Sequence, residues 1–171
     1  MIAKQSEQVS VRAALRSRRR HVATFAAASF LAACSYRGEL VSARALPLAN
    51  ARPEAHALPP SSETGPWRPI ALALTPATLR RIRSQTLYVR AYLSDCEGAA
   101  TGRAYELYLG DRSITARPSD LRMERGDRAK NVLVLYPSSA EIGRFTRLCI
   151  SASGGSMIGA TLKTGKVSVA F

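Results

Sequence analysis

The sequence predicts an all-β fold: a small β-sandwich, immunoglobulin-like, of about seven short strands with minor helical turns. Three observations predict it. Between Trp67 and Phe171 apolar residues recur at every second position in several short runs. Turn-forming Gly, Pro, Asp and Ser separate those runs at intervals of roughly 10 to 15 residues. Helical periodicity is confined to brief stretches.

The elements follow in order. Arg68 to Leu74 reads as the first strand, with Ile70, Leu72 and Leu74 on one face and Ala71 and Ala73 on the other. Thr75-Pro76 sets an N-cap hydroxyl before a proline at the first helical position. Pro76 to Ser84 therefore forms a short helix, Leu79 and Ile82 inward and Arg80, Arg81 and Arg83 outward. Thr86 to Leu93 alternates cleanly: Leu87, Val89, Ala91 and Leu93 share one face, Tyr88, Arg90 and Tyr92 the other. Gly98 to Gly102 is a loop. Ala104 to Leu109 alternates again, with Tyr105, Leu107 and Leu109 opposite Glu106 and Tyr108. Gly110-Asp111 is a turn, and Arg112 to Ala116 returns as a short strand. Arg117 to Lys130 mixes charges of both signs, as a solvated loop does, with room for a helical turn near Asp120. Val132 to Tyr136 is a continuous apolar run fitting a central strand, ended by Pro137. Ser138 and Glu141 have the spacing of a capping box opening one helical turn. Arg147 to Ser151 is a strand. Ser153-Gly154-Gly155-Ser156 reads as a turn, and Met157 to Leu162 with Lys166 to Phe171 flank Thr164-Gly165 as a C-terminal hairpin.

The first 66 residues read differently. Arg16-Ser17-Arg18-Arg19-Arg20 precedes a short alanine-rich apolar run, Val22 to Leu31, that ends in Leu31-Ala32-Ala33-Cys34. The run falls short of the roughly 20 apolar residues that cross a bilayer. A basic segment, an apolar segment and small residues at a cut site make an export signal. With a cysteine at the cut, the pattern from Arg16 to Ser35 resembles the signal of bacterial lipoproteins. The resemblance implies removal of residues 1–33 and acylation of Cys34, palmitate included, with anchoring to the cell envelope. Ser35 stands where that family uses aspartate for inner-membrane retention, so the resemblance points to the outer membrane, facing the periplasm. Translation from Met1 or from Val11, and export by the general or the twin-arginine route, both stay open. From Cys34 to Pro66 the chain is rich in Pro and Ala and reads as a disordered or extended tether, with a short strand allowed near Glu39 to Val41. The expected organisation is thus signal 1–33, tether 34–66 and β-sandwich domain 67–171.

Net charge is +13, from 25 Lys and Arg against 12 Asp and Glu. Residues 1–33 hold six of the cations and one acid, so residues 34–171 keep 19 and 11, a net +8. A basic surface attracts nucleic acid, anionic lipid or acidic polysaccharide. For an exported, anchored protein the expected partners are the membrane, an envelope protein or an anionic glycan rather than nucleic acid. With Cys34 assigned to lipidation, Cys96 and Cys149 remain as a pair in an oxidising compartment, and a disulfide is expected. Two free buried thiols are the alternative.

The two histidines, His21 and His56, lie in the signal and the tether. A histidine-free domain excludes Ser-His-Asp and Cys-His catalysis and most zinc sites, and no nucleotide-binding glycine motif is present. No catalytic residue, metal ligand or cofactor is therefore expected. Asp95, Glu97 and Glu106 are the acids a carboxylate-dependent hydrolase would use, and Ser153 to Ser156 could offer backbone amides to an anion. The best candidate binding surface is Tyr88, Arg90 and Tyr92, joined by Tyr108, because Tyr and Arg dominate binding hot spots. The expected function is a membrane-anchored envelope lipoprotein with a non-catalytic binding or structural domain. A module for anionic glycan or lipid is the alternative, and a hydrolase a further one.

Overall fold

A computed structural model of the chain describes residues 35–56, 65–97, 100–121, 132–143 and 145–171. The signal, Cys34, and the charged loop beyond Leu121 lie outside the described residues. The fold is an all-β sandwich of two sheets with two short helices. The strands are β1 (Ser35–Gly38), β2 (Leu40–Ala45), β3 (Ile70–Leu74), β4 (Tyr88–Ser94), β5 (Ala100–Tyr105), β6 (Tyr108–Leu109), β7 (Arg112–Ser113), β8 (Val132–Leu135), β9 (Arg147–Gly155), β10 (Thr161–Thr164) and β11 (Val167–Ala170). Sheet A has the order β1-β10-β9-β4-β5, with β11 also on β9; sheet B runs β2-β3-β8-β6-β7.

Each sheet is built around strands whose alternation is strongest. In β3, Ile70, Leu72 and Leu74 point into the core; in β4 the inward set is Val89, Ala91 and Leu93; in β8 it is Leu133 and Leu135. All are buried, as are Leu148, Ile150 and Ala152 of β9. Burying one such aliphatic side chain contributes about 1.5 to 3 kcal/mol. Helix α1 (Pro76–Ser84) has the predicted bounds and covers the core with Leu79 and Ile82.

The tether is the first correction. Residues 35–45 form β1 and β2, one in each sheet, and the compact unit runs from Tyr36 to Phe171. Leu46 N–H and Ala49 continue the pairing against Pro69 and Trp67, and the Arg52 guanidinium lies 4.2 Å over the Trp67 ring. Composition misled because these are edge segments. They bury little beyond Leu40, with Tyr36, Ala43 and Ala45 partly covered, so their apolar content is low.

The chain passes between the sheets four times; the two crossings made without an intervening helix, β1 to β2 and β5 to β6, are corners that carry threonines. Between β1 and β2, Glu39 N–H donates to Thr78 Oγ1 at 2.9 Å, while Glu39 O accepts from Thr75 N–H at 3.1 Å. The N-terminus of α1 thus completes the backbone bonds that the corner loses. The second corner corrects the strand expected over Ala104 to Leu109. There β5 ends at Tyr105 in sheet A and β6 begins at Tyr108 in sheet B. Tyr105, Glu106, Leu107 and Tyr108 are all buried, because the chain passes between the sheets instead of lying on one. Leu107 N–H donates to Thr115 Oγ1 at 2.9 Å, and that hydroxyl donates to Val89 O at 2.6 Å.

Three further differences have local causes. Gly154 and Gly155 belong to β9, not to a turn. A Cβ on Gly154 would lie 2.2 Å from the Tyr88 carbonyl oxygen, so glycine is needed for the close approach of β4. The C-terminal hairpin is absent: β10 and β11 both pair with β9, along one edge of it. The register slips by one residue between them, and Thr164 Oγ1 accepts the Ala152 N–H at 2.8 Å across the irregularity. Finally, Ser138 precedes helix α2 (Ser139–Ile142) without a side-chain cap. Glu141 instead accepts the Tyr105 hydroxyl and pairs with Arg103 at 3.6 Å.

Thr115→Val would orphan Leu107 N–H and Val89 O together. It should lower unfolding free energy by about 2 to 4 kcal/mol, while Thr161→Val, on an exposed position, changes it little. Urea denaturation of the two variants compares them directly.

Candidate functional site

Sheet A presents an open outer face centred on β4. Tyr88, Arg90 and Tyr92 project from it at alternate positions, as the sequence predicts, opposite the inward Val89, Ala91 and Leu93. Their neighbours in β9 are Gly155, Ser153 and Ser151, and Ala104 of β5 lies opposite Tyr92. Small side chains lie on both flanks; Tyr88 is exposed, and Arg90 and Tyr92 are half-buried. Thr161 and Lys163 of β10 extend the face beyond Gly155 and Ser153, so Arg90, Ser153 and Lys163 form one row across three strands.

The disulfide closes the far end of this face. Cys96 and Cys149 are bonded, with Cα atoms 4.7 Å apart. Ser94 pairs with Cys149 in the ladder, so the bond ties the end of β4 to its neighbour β9 within one sheet. By the chain-entropy argument, closing a segment with a sequence separation of 53 is worth about 4 kcal/mol. Asp95 and Glu97 flank the bond, and Glu97 N–H turns back to Asp95 O at 2.8 Å.

Tyr108 does not join the tyrosine face. It sits in β6 of sheet B, buried, its ring edge-on to Tyr136 at a centroid distance of 5.6 Å. The sequence pattern placed it outward because Ala104 to Leu109 reads as one strand; the sheet change at Glu106 overturns that parity. Burial, followed by the neighbouring Glu106 carboxylate, pushes the Tyr108 phenol well above its usual range, and burial also raises Tyr136.

Glu106 is the residue that sequence reasoning valued for the wrong reason. Its carboxylate is buried at the second sheet corner. One oxygen accepts the His56 N–H at 2.9 Å and the other accepts the Ser113 hydroxyl. Ser113 Oγ in turn accepts Ala116 N–H at 3.1 Å. The carboxylate therefore organises the segment before residue 57 and the β6–β7 turn around it. His56 consequently belongs to the domain, which overturns the expectation of a histidine-free fold. It lines a cleft of about 660 Å³ with Asp111, Arg112, Ser113, Ala116 and Arg117. Ser113 directs its proton to Glu106, which is not the hydroxyl-to-imidazole relay that activates a serine nucleophile. Asp95 and Glu97 belong instead to the turn at the end of β4.

No family model, curated protein or solved structure matches this chain. Among the described residues no group of three or more His, Cys, Asp or Glu is placed to hold a metal ion. Among them, too, no helix is long and apolar enough to cross a membrane.

Two outcomes follow from the buried groups. Glu106→Ala removes the acceptor for one buried donor, the Ser113 hydroxyl, and one part-buried donor, the His56 backbone N–H, and should cost about 2 to 3 kcal/mol in urea unfolding. At alkaline pH the unfolded tyrosine loses its proton near 10, while folded Tyr108 keeps its own to higher pH. Its contribution to stability is therefore full below about pH 10 and declines as pH rises further, by at most about 1.4 kcal/mol per pH unit. Tyr108→Phe should flatten that decline in denaturation curves collected across pH 9 to 11.

Proposed function

We propose that this chain is a membrane-anchored envelope lipoprotein whose β-sandwich binds another envelope component without catalysing a reaction. The observation that carries the reading is Leu31-Ala32-Ala33-Cys34 behind its basic and apolar segments, set immediately before the first strand of the domain. Acyl chains on Cys34 would hold the protein in the membrane. Each buried methylene contributes about 0.8 kcal/mol, and more than one chain makes the attachment durable. The binding role rests on the outer face of sheet A. Two tyrosines and an arginine in line on an ordered strand form the kind of surface from which protein hot spots are made. Their backbone is already ordered, since β4 is paired on both sides.

A second reading has its own support. The row Arg90, Ser153, Lys163 carries a cation on each side of β9 and no acid, a spacing suited to an anionic glycan laid across the sheet. Glu106, spent on His56 and Ser113, gives a hydrolase no similar support.

Cys34→Ala should move the protein from the membrane pellet to the soluble fraction and abolish incorporation of an alkyne-tagged palmitate. Pelleting unchanged by Cys34→Ala would sink the anchoring reading. For the face, in-membrane crosslinking from position 90 should yield one dominant protein adduct that Tyr88→Ala with Tyr92→Ala reduces at least several-fold. Salt-sensitive retention on an acidic polysaccharide, lost in Arg90→Glu with Lys163→Glu, would instead favour the glycan.

A further inference from the structure

One end of the sandwich gathers features that no role in the outer face explains. The β9–β10 turn lifts Met157 and Ile158 into solvent, 90 % and 81 % exposed. The turn is not slack: Ser156 N–H donates to Ala160 O at 2.8 Å, Gly159 N–H to Ser156 O at 3.2 Å, and Ala160 N–H to Ser156 Oγ at 3.1 Å. Gly159, at φ +89°, allows the reversal. Two large apolar side chains are thus fixed outward at a position where turns ordinarily carry polar ones. They border a groove of about 360 Å³ that reaches Tyr88 and Ser84.

At Ser84 this groove meets a second cleft, lined by Tyr36, Ala77, Arg80, Arg81 and Arg83. The Arg81 guanidinium lies 4.8 Å over the Tyr36 ring. Helix α1 contains no acid, so the charges on its exposed side, Arg80, Arg81 and Arg83, are all positive. Tyr36 is two residues from Cys34, a reach of about 7 Å in extended chain. Apolar tip, two tyrosines and three arginines therefore share one end of the domain, the end at which its first strand begins.

We infer that this end is a membrane-docking surface for an anionic phospholipid leaflet. Met157 and Ile158 enter the boundary between headgroups and acyl chains. Tyr36 and Tyr88 sit at the interface, where aromatic rings with a polar tip are favoured. Arg80, Arg81 and Arg83 face the lipid phosphates. The inference rests on the anchored reading only for the position of the acyl chains; the surface itself stands on exposure and charge. With β1 beginning at Ser35, an acylated Cys34 leaves the domain against the bilayer.

The test uses the full-length protein recovered from its membranes and reconstituted in phosphatidylglycerol–phosphatidylcholine vesicles. Cys34 acylation is read first, by mass. A single added cysteine carries an environment-sensitive dye at Ile158→Cys or, as control, at Thr146→Cys, which precedes β9 at its opposite end. The label at 158 should shift to the blue and be quenched several-fold more by spin-labelled lipid than the label at 146. Arg80→Glu, Arg81→Glu and Arg83→Glu together, or vesicles of phosphatidylcholine alone, should erase most of that difference. Equal, water-like signals at both positions in a chain acylated at Cys34 overturn the surface and leave the anchor standing. If Cys34 carries no acyl chain, the anchored reading fails. Quenching at 158 on added anionic vesicles then still supports the surface, and its absence overturns it.

Discussion

The fold depends on satisfying backbone polar groups where the chain leaves one sheet for the other. A strand in mid-sheet has its partners supplied by its neighbours; a strand that turns a corner loses them while still buried, at a cost comparable to a lost hydrogen bond for each group. Here the two direct corners, those without a helix between the strands, are repaired by threonine. Thr75 and Thr78 take charge of Glu39, and Thr115 ties Leu107 to Val89. Threonine suits the task because its hydroxyl both donates and accepts while its methyl packs like valine. The first corner also explains why α1 lies where it does. Its N-cap and first turn supply the bonds for the β1–β2 crossing, so the one substantial helix is part of the sandwich edge.

The sequence was legible where a single face decided burial. Alternation from Leu87 to Leu93 and from Ile70 to Leu74 announced the central strands, and Thr75-Pro76 announced α1 to the residue. The cysteine pair was legible from counting, although parity could not say whether it joined sheets or neighbours. Legibility failed where burial came from two sides or from nearly none. Glu106 and Tyr108 looked like the outward half of an alternating strand because a chain passing between sheets buries successive residues of both parities. Residues 35–45 looked like a tether because edge strands need few apolar side chains. Gly154 looked like a turn because glycine signals both reversal and close approach, and only the Tyr88 carbonyl beside it distinguishes the two.

Those failures bear on the candidate site. The four-residue surface read from sequence becomes three, Tyr88, Arg90 and Tyr92, once Tyr108 is buried in the other sheet. His56 moves the opposite way, from tether into domain. The loss of the tether has the larger consequence. A domain on some 30 flexible residues could sample any orientation above a membrane, and its partner surface would carry no geometric information. A domain whose first strand begins one residue after Cys34 would, if that cysteine is acylated, be held close to the membrane.

The two surfaces meet at Tyr88, the one residue common to both. It heads the row on β4 that continues through Arg90 and Tyr92, and it also borders the groove beside Met157 and Ile158. If the end carrying Met157 rests on lipid, the β4 row rises from the headgroups toward the disulfide at its far end. A rigid partner gripping Tyr92 and Arg90 would then meet the membrane near Tyr88. Such a geometry favours a partner that is itself held at the membrane, because prior confinement of both proteins to one surface lowers the entropy lost on association. It would also make Tyr88 the position at which lipid and partner compete for the same ring, so that membrane contact and partner binding would be coupled by one side chain rather than by a conformational change.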